Sequence, residues 1–329
     1  MRRMLINAGA VAAVLGLVLP GIAVADGGWQ EGPPVPLGRI RYGHTQCPGD
    51  LGRFYVISGQ DRTFNPTITM ERFDTATGKW EDLPSVPDPR VAPAAVCVGD
   101  TIHLLGGADR FGNATTSHFV YKLGAKEWTE AAPTPRPVLG AAAGGAPGRI
   151  YLAGGDPDFD PPGTSDEVDI YNIATDRWTT AWNRMPHAAT FAGSAQSGRY
   201  LYVVGGFGDD SPGVNVRATQ RLDTLTGLWS TGPELADPPA DFALVATKSA
   251  LYTLGGDADG GGFKDASATV RRLDVARWPA GEWITESDRL PDVVAANNGG
   301  YATSDGRIWS VGGSTPGVGI RDVVYVNRP

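Results

Sequence analysis

Arg41, Arg90, Arg136 and His187 lie at similar offsets ahead of a series of glycine pairs, and three of the four directly follow a proline. Asp61, Asp109, Asp156, Asp209 and Asp257 come just after those pairs. Further along the chain, Pro239 and Asp292 stand at the positions corresponding to the arginines. A guanidinium grips a carboxylate through two parallel hydrogen bonds. A carboxylate or an imidazole can carry a proton to or from a reacting group. Gathered on one rim, these side chains would suit a polar ligand such as a sugar or a peptide loop, with Arg62 and Arg110 adding to the mixed charge. The same residues have a structural use, because Arg–Asp pairs also lock neighbouring elements together.

Other chemistry-bearing groups are sparser. Asp156, Asp158, Asp160 and Glu167 occupy positions 1, 3, 5 and 12 of a loop, a spacing that echoes a calcium site. Pro161 stands where such a loop needs glycine for its sharp turn, so a solvated acidic loop is the favoured reading. No cofactor is expected. Of the four histidines, His103 sits in a column otherwise filled by Tyr55, Tyr151, Tyr202, Tyr252 and Trp309, and reads as packing. His44 and His118 fall on expected strands, and only His187 is expected at the rim. Counted from Arg41 and Arg90, Cys47 is at offset six and Cys97 at offset seven. Opposite parity sends the two thiols to opposite sheet faces. Opposite faces of adjacent sheets meet, so a Cys47–Cys97 disulfide is expected if the Cβ atoms lie about 4 Å apart.

These residues must be positioned by a repeat. Six segments are short strands ending in a glycine pair: Phe54–Gly59, Ile102–Gly107, Ile150–Gly155, Leu201–Gly206, Leu251–Gly256 and Ile308–Gly313, the first reading Ser58-Gly59. Their last glycines are 48, 48, 51, 50 and 57 residues apart, the period of a propeller. After each of the first four pairs a residue stands seven positions before a tryptophan: Phe73 and Trp80, Tyr121 and Trp128, Tyr171 and Trp178, Leu222 and Trp229. Turn sequences such as Asp74-Thr-Ala-Thr-Gly78 lie between them, predicting a hairpin with its tryptophan just past the turn. A fifth unit stretches this spacing around Trp278 and Pro279, from Leu273 to Trp283. The sixth stops after one further strand, whereas the amino-terminal segment begins with an unmatched Trp29. That segment is expected to complete the last sheet and shut the ring, hiding two strand edges.

The glycine pair, the aromatic residue and the tryptophan resemble the kelch repeat, and the resemblance runs from residue 26 to residue 329. It implies an all-β fold, a six-bladed kelch-type β-propeller closed by an amino-terminal strand. It also implies an interaction platform, with a protein or a glycan as partner. Blade number is similar to that of bacterial sialic-acid mutarotases, which suggests a carbohydrate-active alternative using rim Arg41, Arg90, Arg136, His187 and aspartates. The likeness to that enzyme is architectural and maps no catalytic position. The copper site of galactose oxidase, with its histidine pair and seven blades, has no counterpart here. In an antiparallel meander with strands a to d from the axis outward, the b–c loops and d–a connections share one face. The long b–c loops make that the expected functional face.

Composition narrows the surroundings. Arg2 and Arg3, an apolar stretch from Met4 to Leu19 and the triplet Ala23-Val24-Ala25 predict a secretory signal peptide over residues 1–25. Its removal leaves 26 basic and 36 acidic residues, a net charge of −10. Such a surface argues against nucleic acid as a partner. A secreted monomer without a membrane span is expected.

Overall fold

The computed structural model describes residues 28–158, 163–208, 215–258, 265–296 and 299–329. Six four-stranded antiparallel sheets are arranged as six blades. Their innermost strands are Gly43–Cys47, Ala94–Val98, Ala142–Ala146, Gly193–Ser197, Ala243–Ala246 and Gly299–Ala302, defining blades 1 to 6 in chain order. Among the described residues the one helical element is a single 3-10 turn, Val275–Arg277, and no helix is long and apolar enough to cross a membrane.

The ring is shut by the amino-terminal strand. Gln30–Glu31 pairs antiparallel with Val324–Asn327 as the outermost strand of blade 6. Blade 6 is therefore built from both ends of the propeller. In each complete hairpin the aromatic or leucine residue faces its tryptophan across the strands, as in Phe73 with Trp80, Tyr171 with Trp178 and Leu222 with Trp229. Blade 5 keeps the pairing, Leu273 with Trp283, and places its extra residues in the turn. Four of the repeat tryptophans also hydrogen-bond the preceding blade: Trp80 donates to Pro33 O, Trp128 to Pro84 O, Trp178 to Ala132 O and Trp283 to Pro233 O. Each acceptor lies four residues after that blade's own tryptophan, so one repeat signal serves two neighbouring sheets. The aromatic bodies fill the clefts between blades, which pack as separate apolar clusters around the ring.

All six glycine pairs adopt the left-handed backbone region, with φ between 59° and 105°. At Gly106 the reason is steric, because a Cβ there would lie 2.2 Å from Val138 O. Ser58 takes the equivalent place in blade 1 at φ 59°. Its hydroxyl offsets the strain by accepting from Arg90 N at 2.7 Å and donating to Thr67 O at 2.6 Å.

A second left-handed position recurs at the start of the inner strands: Arg41, Ala92, Gly140, Phe191, Asp241 and Ala296, with φ between 49° and 62°. Their backbones hand hydrogen bonds around the axis. Ala92 N donates to Arg41 O, Gly140 N to Ala92 O, Phe191 N to Gly140 O, Asp241 N to Phe191 O and Ala296 N to Asp241 O, at 2.6–3.2 Å. This collar joins all six blades.

Gly106→Ala combines a backbone clash with a forced positive φ. It is expected to destabilise the fold by about 3 kcal/mol, read as a lowered denaturation midpoint. Ser58→Ala, which removes the hydroxyl and keeps the Cβ, is expected to cost about 1–3 kcal/mol.

Candidate functional site

The collar gives a register for every candidate residue. Collar residues precede the second glycine of the pair by fifteen positions in blades 2 to 5 and by a few more in blades 1 and 6. On this register the expected column of Arg41, Arg90, Arg136 and His187 separates into three. Arg41 belongs to the collar itself. Arg90 stands two residues before it, where blade 1 carries Arg39. Arg136 and His187 stand four residues before it, alongside Asp88, Asp237 and Asp292. Blade 1's longer a–b hairpin, with second strand Asp50–Ile57, hid the offset.

In blades 1 to 5 the connection residues lock each blade to the second residue of its own third strand, and in blade 6 to Arg321, just ahead of that strand. Arg39 is fully buried and grips both carboxylate oxygens of Glu71 at 2.5 and 2.6 Å, while burial pushes the Glu71 carboxyl up. Arg90 is buried against the Phe119 ring and bonds Asp88 at 2.6 Å and Ser117 at 2.8 Å. Arg136 pairs with Asp169 at 3.1 Å and Glu167 at 3.2 Å. Gln220 clasps the backbone of His187 through both ends of its amide, leaving the imidazole exposed. Blade 5 reverses the charges, Asp237 pairing with Arg271 at 3.1 Å, and blade 6 pairs Asp292 with Arg321 at 2.9 Å. Arg90 and Arg136 are thus committed to internal contacts.

The aspartates do not form one ring either. Asp61 and Asp109 each cap their own b–c loop. Asp61 Oδ1 accepts from Thr63 N and Asn65 N, and Asp109 Oδ1 from Phe111 N and Asn113 N, at 2.8–3.1 Å. These bonds hold both carboxyls below the usual carboxylate range against some burial. Asp156 and Asp257 sit one position earlier in the repeat and are buried, with backbone bridges to Leu139 and Ala240. Asp209 lies outside the described residues. In the calcium-like loop, Asp156 Oδ1 accepts from Asp158 N and Gly163 N. Glu167 turns away to Arg136 and Arg184, so its carboxylate is not free to join Asp156 and Asp158. Asp160 lies outside the described residues.

Among the described candidate residues, Arg41 is the one that reaches the axis. Its guanidinium crosses to Asp241 of blade 5, 3.0 Å away, and lies 4.9 Å from the Phe191 ring centre of blade 4. Below this group an axial basin of about 1000 Å³ runs to the a–b hairpins of blades 1, 4, 5 and 6. It opens on the face opposite the b–c loops. Sequence reasoning missed both the collar and the basin. The available signal was side-chain size: inner strands such as Ala94–Val98 and Ala142–Ala146 are rich in alanine and glycine, which leaves the axis wide.

Inner strands are also stitched to one another. Cys47 and Cys97 form a disulfide between blades 1 and 2, with Cα atoms 4.9 Å apart. At the level of Cys97, Gln46 accepts from Ala302 N of blade 6, and Gln196 both accepts from Gly145 N and donates to Gly145 O of blade 3. His103 and His118, separate in the sequence reading, meet in blade 2 with ring nitrogens 2.8 Å apart, beside Tyr171. Burial holds His103 down to about 3, with His118 adding to the effect, and lowers His118 as well.

Residues 188–236, from the entry into blade 4 to the end of its outer strand, match the family model described as Kelch motif. The chain is a kelch-repeat propeller. It is 30% identical over 243 residues, 71% of its length, to Kelch-like protein terF of Aspergillus terreus. It is 31% identical over 29% of its length to Kelch-like protein 25 of Xenopus tropicalis, and 26% over 32% to Kelch repeat protein M-T8 of Myxoma virus. It covers 42%, 17% and 21% of those three proteins, so each is much longer than the shared propeller.

Two outcomes follow from the stitches and the histidine pair. Replacing both cysteines with serine opens a link spanning 50 residues and is expected to cost about 2–5 kcal/mol, measured by denaturant unfolding. The folded state keeps His103 and His118 neutral, whereas the unfolded chain takes up protons near pH 6.5. Stability should therefore fall as pH drops below 6.5, His103 contributing roughly 2 kcal/mol by pH 5 and His118 adding in the same direction. The double variant His103→Tyr, His118→Val installs the residues found at these columns in blade 3. It should narrow the difference in urea midpoint between pH 7.5 and pH 5.

Proposed function

We propose that this propeller is an exported, monomeric protein-binding module that docks through the b–c loops of blades 1 and 2. The observation that carries this reading is a pair of twin loops presenting exposed aromatics. Phe64 is 55% exposed and Phe111 80% exposed. Both loops close by the same bonds, Phe64 N to Asp61 O and Gly112 N to Asp109 O, on the aspartate caps already described. A rigid loop loses little entropy when a partner covers it. Arg62 and Arg110 flank the aromatics with side chains 59% and 64% exposed, giving the aromatic and arginine content typical of protein interfaces. Arg62 reaches Asp322 of blade 6 at 3.0 Å, and Val318 on that blade's loop is 65% exposed, so the surface continues over a third blade.

A mutarotase-type enzyme would need an acid or base beside an arginine able to take a sugar carboxylate. Arg90 and Arg136 are spent on blade locks, and Arg41 is paired with Asp241. This favours binding over catalysis, with a glycan ligand as the alternative to a protein. Export is supported by the leader-like residues 1–25 and by the Cys47–Cys97 disulfide, which suits an oxidising compartment.

A photocrosslinking residue at position 111 is expected to trap a discrete partner from the organism's extracellular or envelope fraction. Phe64→Asp should abolish trapping and leave the unfolding midpoint within about 0.5 kcal/mol. The same probe at Leu225, on an exposed c–d turn of the opposite face, should trap nothing. Equal trapping at both positions overturns the docking face. Interconversion of N-acetylneuraminate anomers by the purified protein overturns the non-catalytic reading, and specific signals on a glycan array move the partner class to carbohydrate.

A further inference from the structure

We infer that the axial basin is a second binding site, on the face away from the b–c loops, for a small amphipathic organic anion whose acidic group is a carboxylate or a phosphate. The chain as a whole is acidic, at −8. Against that background the basin is lined by Arg41, Arg199, Lys248 and Arg307 and by no aspartate or glutamate side chain.

The arrangement of the ion pairs produces this polarity. Arg41, Arg199 and Arg307 are each paired, with Asp241 at 3.0 Å, Asp223 at 2.6 Å and Asp305 at 2.5 Å. In all three the arginine lines the basin and the carboxylate does not. In the Arg41 and Arg199 pairs the arginine is also the more exposed partner, so these two dipoles present their positive ends, whereas Arg307 is more buried than Asp305. Such fixed dipoles raise the local concentration of an anion in a cleft whose walls have a low dielectric. Lys248, on the a–b hairpin of blade 5, is exposed at the mouth and makes no ion pair among the described residues. It is the lining cation that no side chain among the described residues pairs, and it adds to the attraction.

The deeper wall has a different chemistry. Half-buried Ala95, Ala143 and Ala195 face the basin on blades 2, 3 and 4, and Tyr252 lines it on blade 5. A ligand with a polar surface all round would leave these groups poorly matched. One with an apolar body and a single acidic end would match both parts. The volume, about 1000 Å³, is at the upper end of what small-molecule sites use.

The amphipathic sulfonate 8-anilinonaphthalene-1-sulfonate serves as a reporter, titrated onto the full chain at pH 7.5. One saturable site is expected, with affinity falling as salt rises. Lys248→Glu should weaken it at least tenfold with an unchanged unfolding midpoint, since the residue sits at an exposed hairpin tip. Ala143→Trp should block the site by filling it. If that variant folds poorly, Lys248→Glu alone decides. Benzoate and phenyl phosphate should displace the reporter, and the stronger of the two identifies the acidic group. Benzyl alcohol should not displace it. Undiminished binding by Lys248→Glu, displacement by benzyl alcohol equal to that by the acids, or the lack of a saturable site overturns the inference. Phe64→Asp should leave reporter binding intact, which separates this site from the docking face.

Discussion

Six sheets can surround one axis only if their innermost strands converge without colliding, and the collar at Arg41, Ala92, Gly140, Phe191, Asp241 and Ala296 is where they come closest. Each of these residues turns through a positive φ, and the five after Arg41 aim their N–H groups at the collar carbonyl of the blade before. Five of the six sit in a conformation that costs a non-glycine residue about 1 kcal/mol or more. The hydrogen bonds passed around the axis offset that cost, because they satisfy backbone groups that otherwise would be buried without partners. That compensation requires neighbouring blades to be held side by side. Pairing of Gln30–Glu31 with Val324–Asn327 therefore supports the collar as much as it covers an edge.

Around the collar the charged residues divide by distance from the axis. Connection residues such as Arg39, Arg90 and Arg136 face the third strand of their own blade, where burial makes an unpaired charge costly and a partner mandatory. Blade 5 shows that the lock needs opposite charges and not a particular sign, since Asp237 and Arg271 exchange roles there. On the axial side the constraint is different. Inner strands carry alanine and glycine because larger side chains would strike the adjacent blade: a Cβ on Gly144 would meet Leu201 at 2.9 Å, and one on Gly300 would meet Leu244 O at 2.5 Å. The axial basin is a consequence of that packing rule.

Architecture was legible in the sequence because its signals repeat. Blade number, the tryptophan hairpins and the amino-terminal closure each rest on residues that must recur at a fixed spacing, and the structure has all three. The Cys47–Cys97 link was legible too, though by a count that shifts by two once the collar is known: Cys97 is five residues past Ala92 and Cys47 six past Arg41, and the parity survives. Roles of the rim residues were not legible. Arg41 and Arg39 are two residues apart in sequence, yet one enters the axis and the other is fully buried inside blade 1. Nothing in their types separates them. The difference is a hairpin lengthened in strand Asp50–Ile57, which displaced the alignment. His103 and His118 escaped for a related reason: each fits a packing column, and only the pairing of the second and third strands of blade 2 makes them neighbours.

The Arg41–Asp241 pair separates two chemically unlike surfaces on one axis. Toward the b–c loops the exposed groups are large and carried on capped turns, where Phe64 and Phe111 can meet a broad partner. Toward the a–b hairpins the walls are small and the charges line a recess, which a broad partner could not enter but a small anion could. Arg41 holds its place through three blades at once, its backbone in blade 1, its ring contact in blade 4 and its ion pair in blade 5. Moving it would break the pair and expose the Asp241 carboxylate, which is almost fully buried. The two proposed sites therefore lie on opposite faces of one toroid, with the Arg41–Asp241 pair between them.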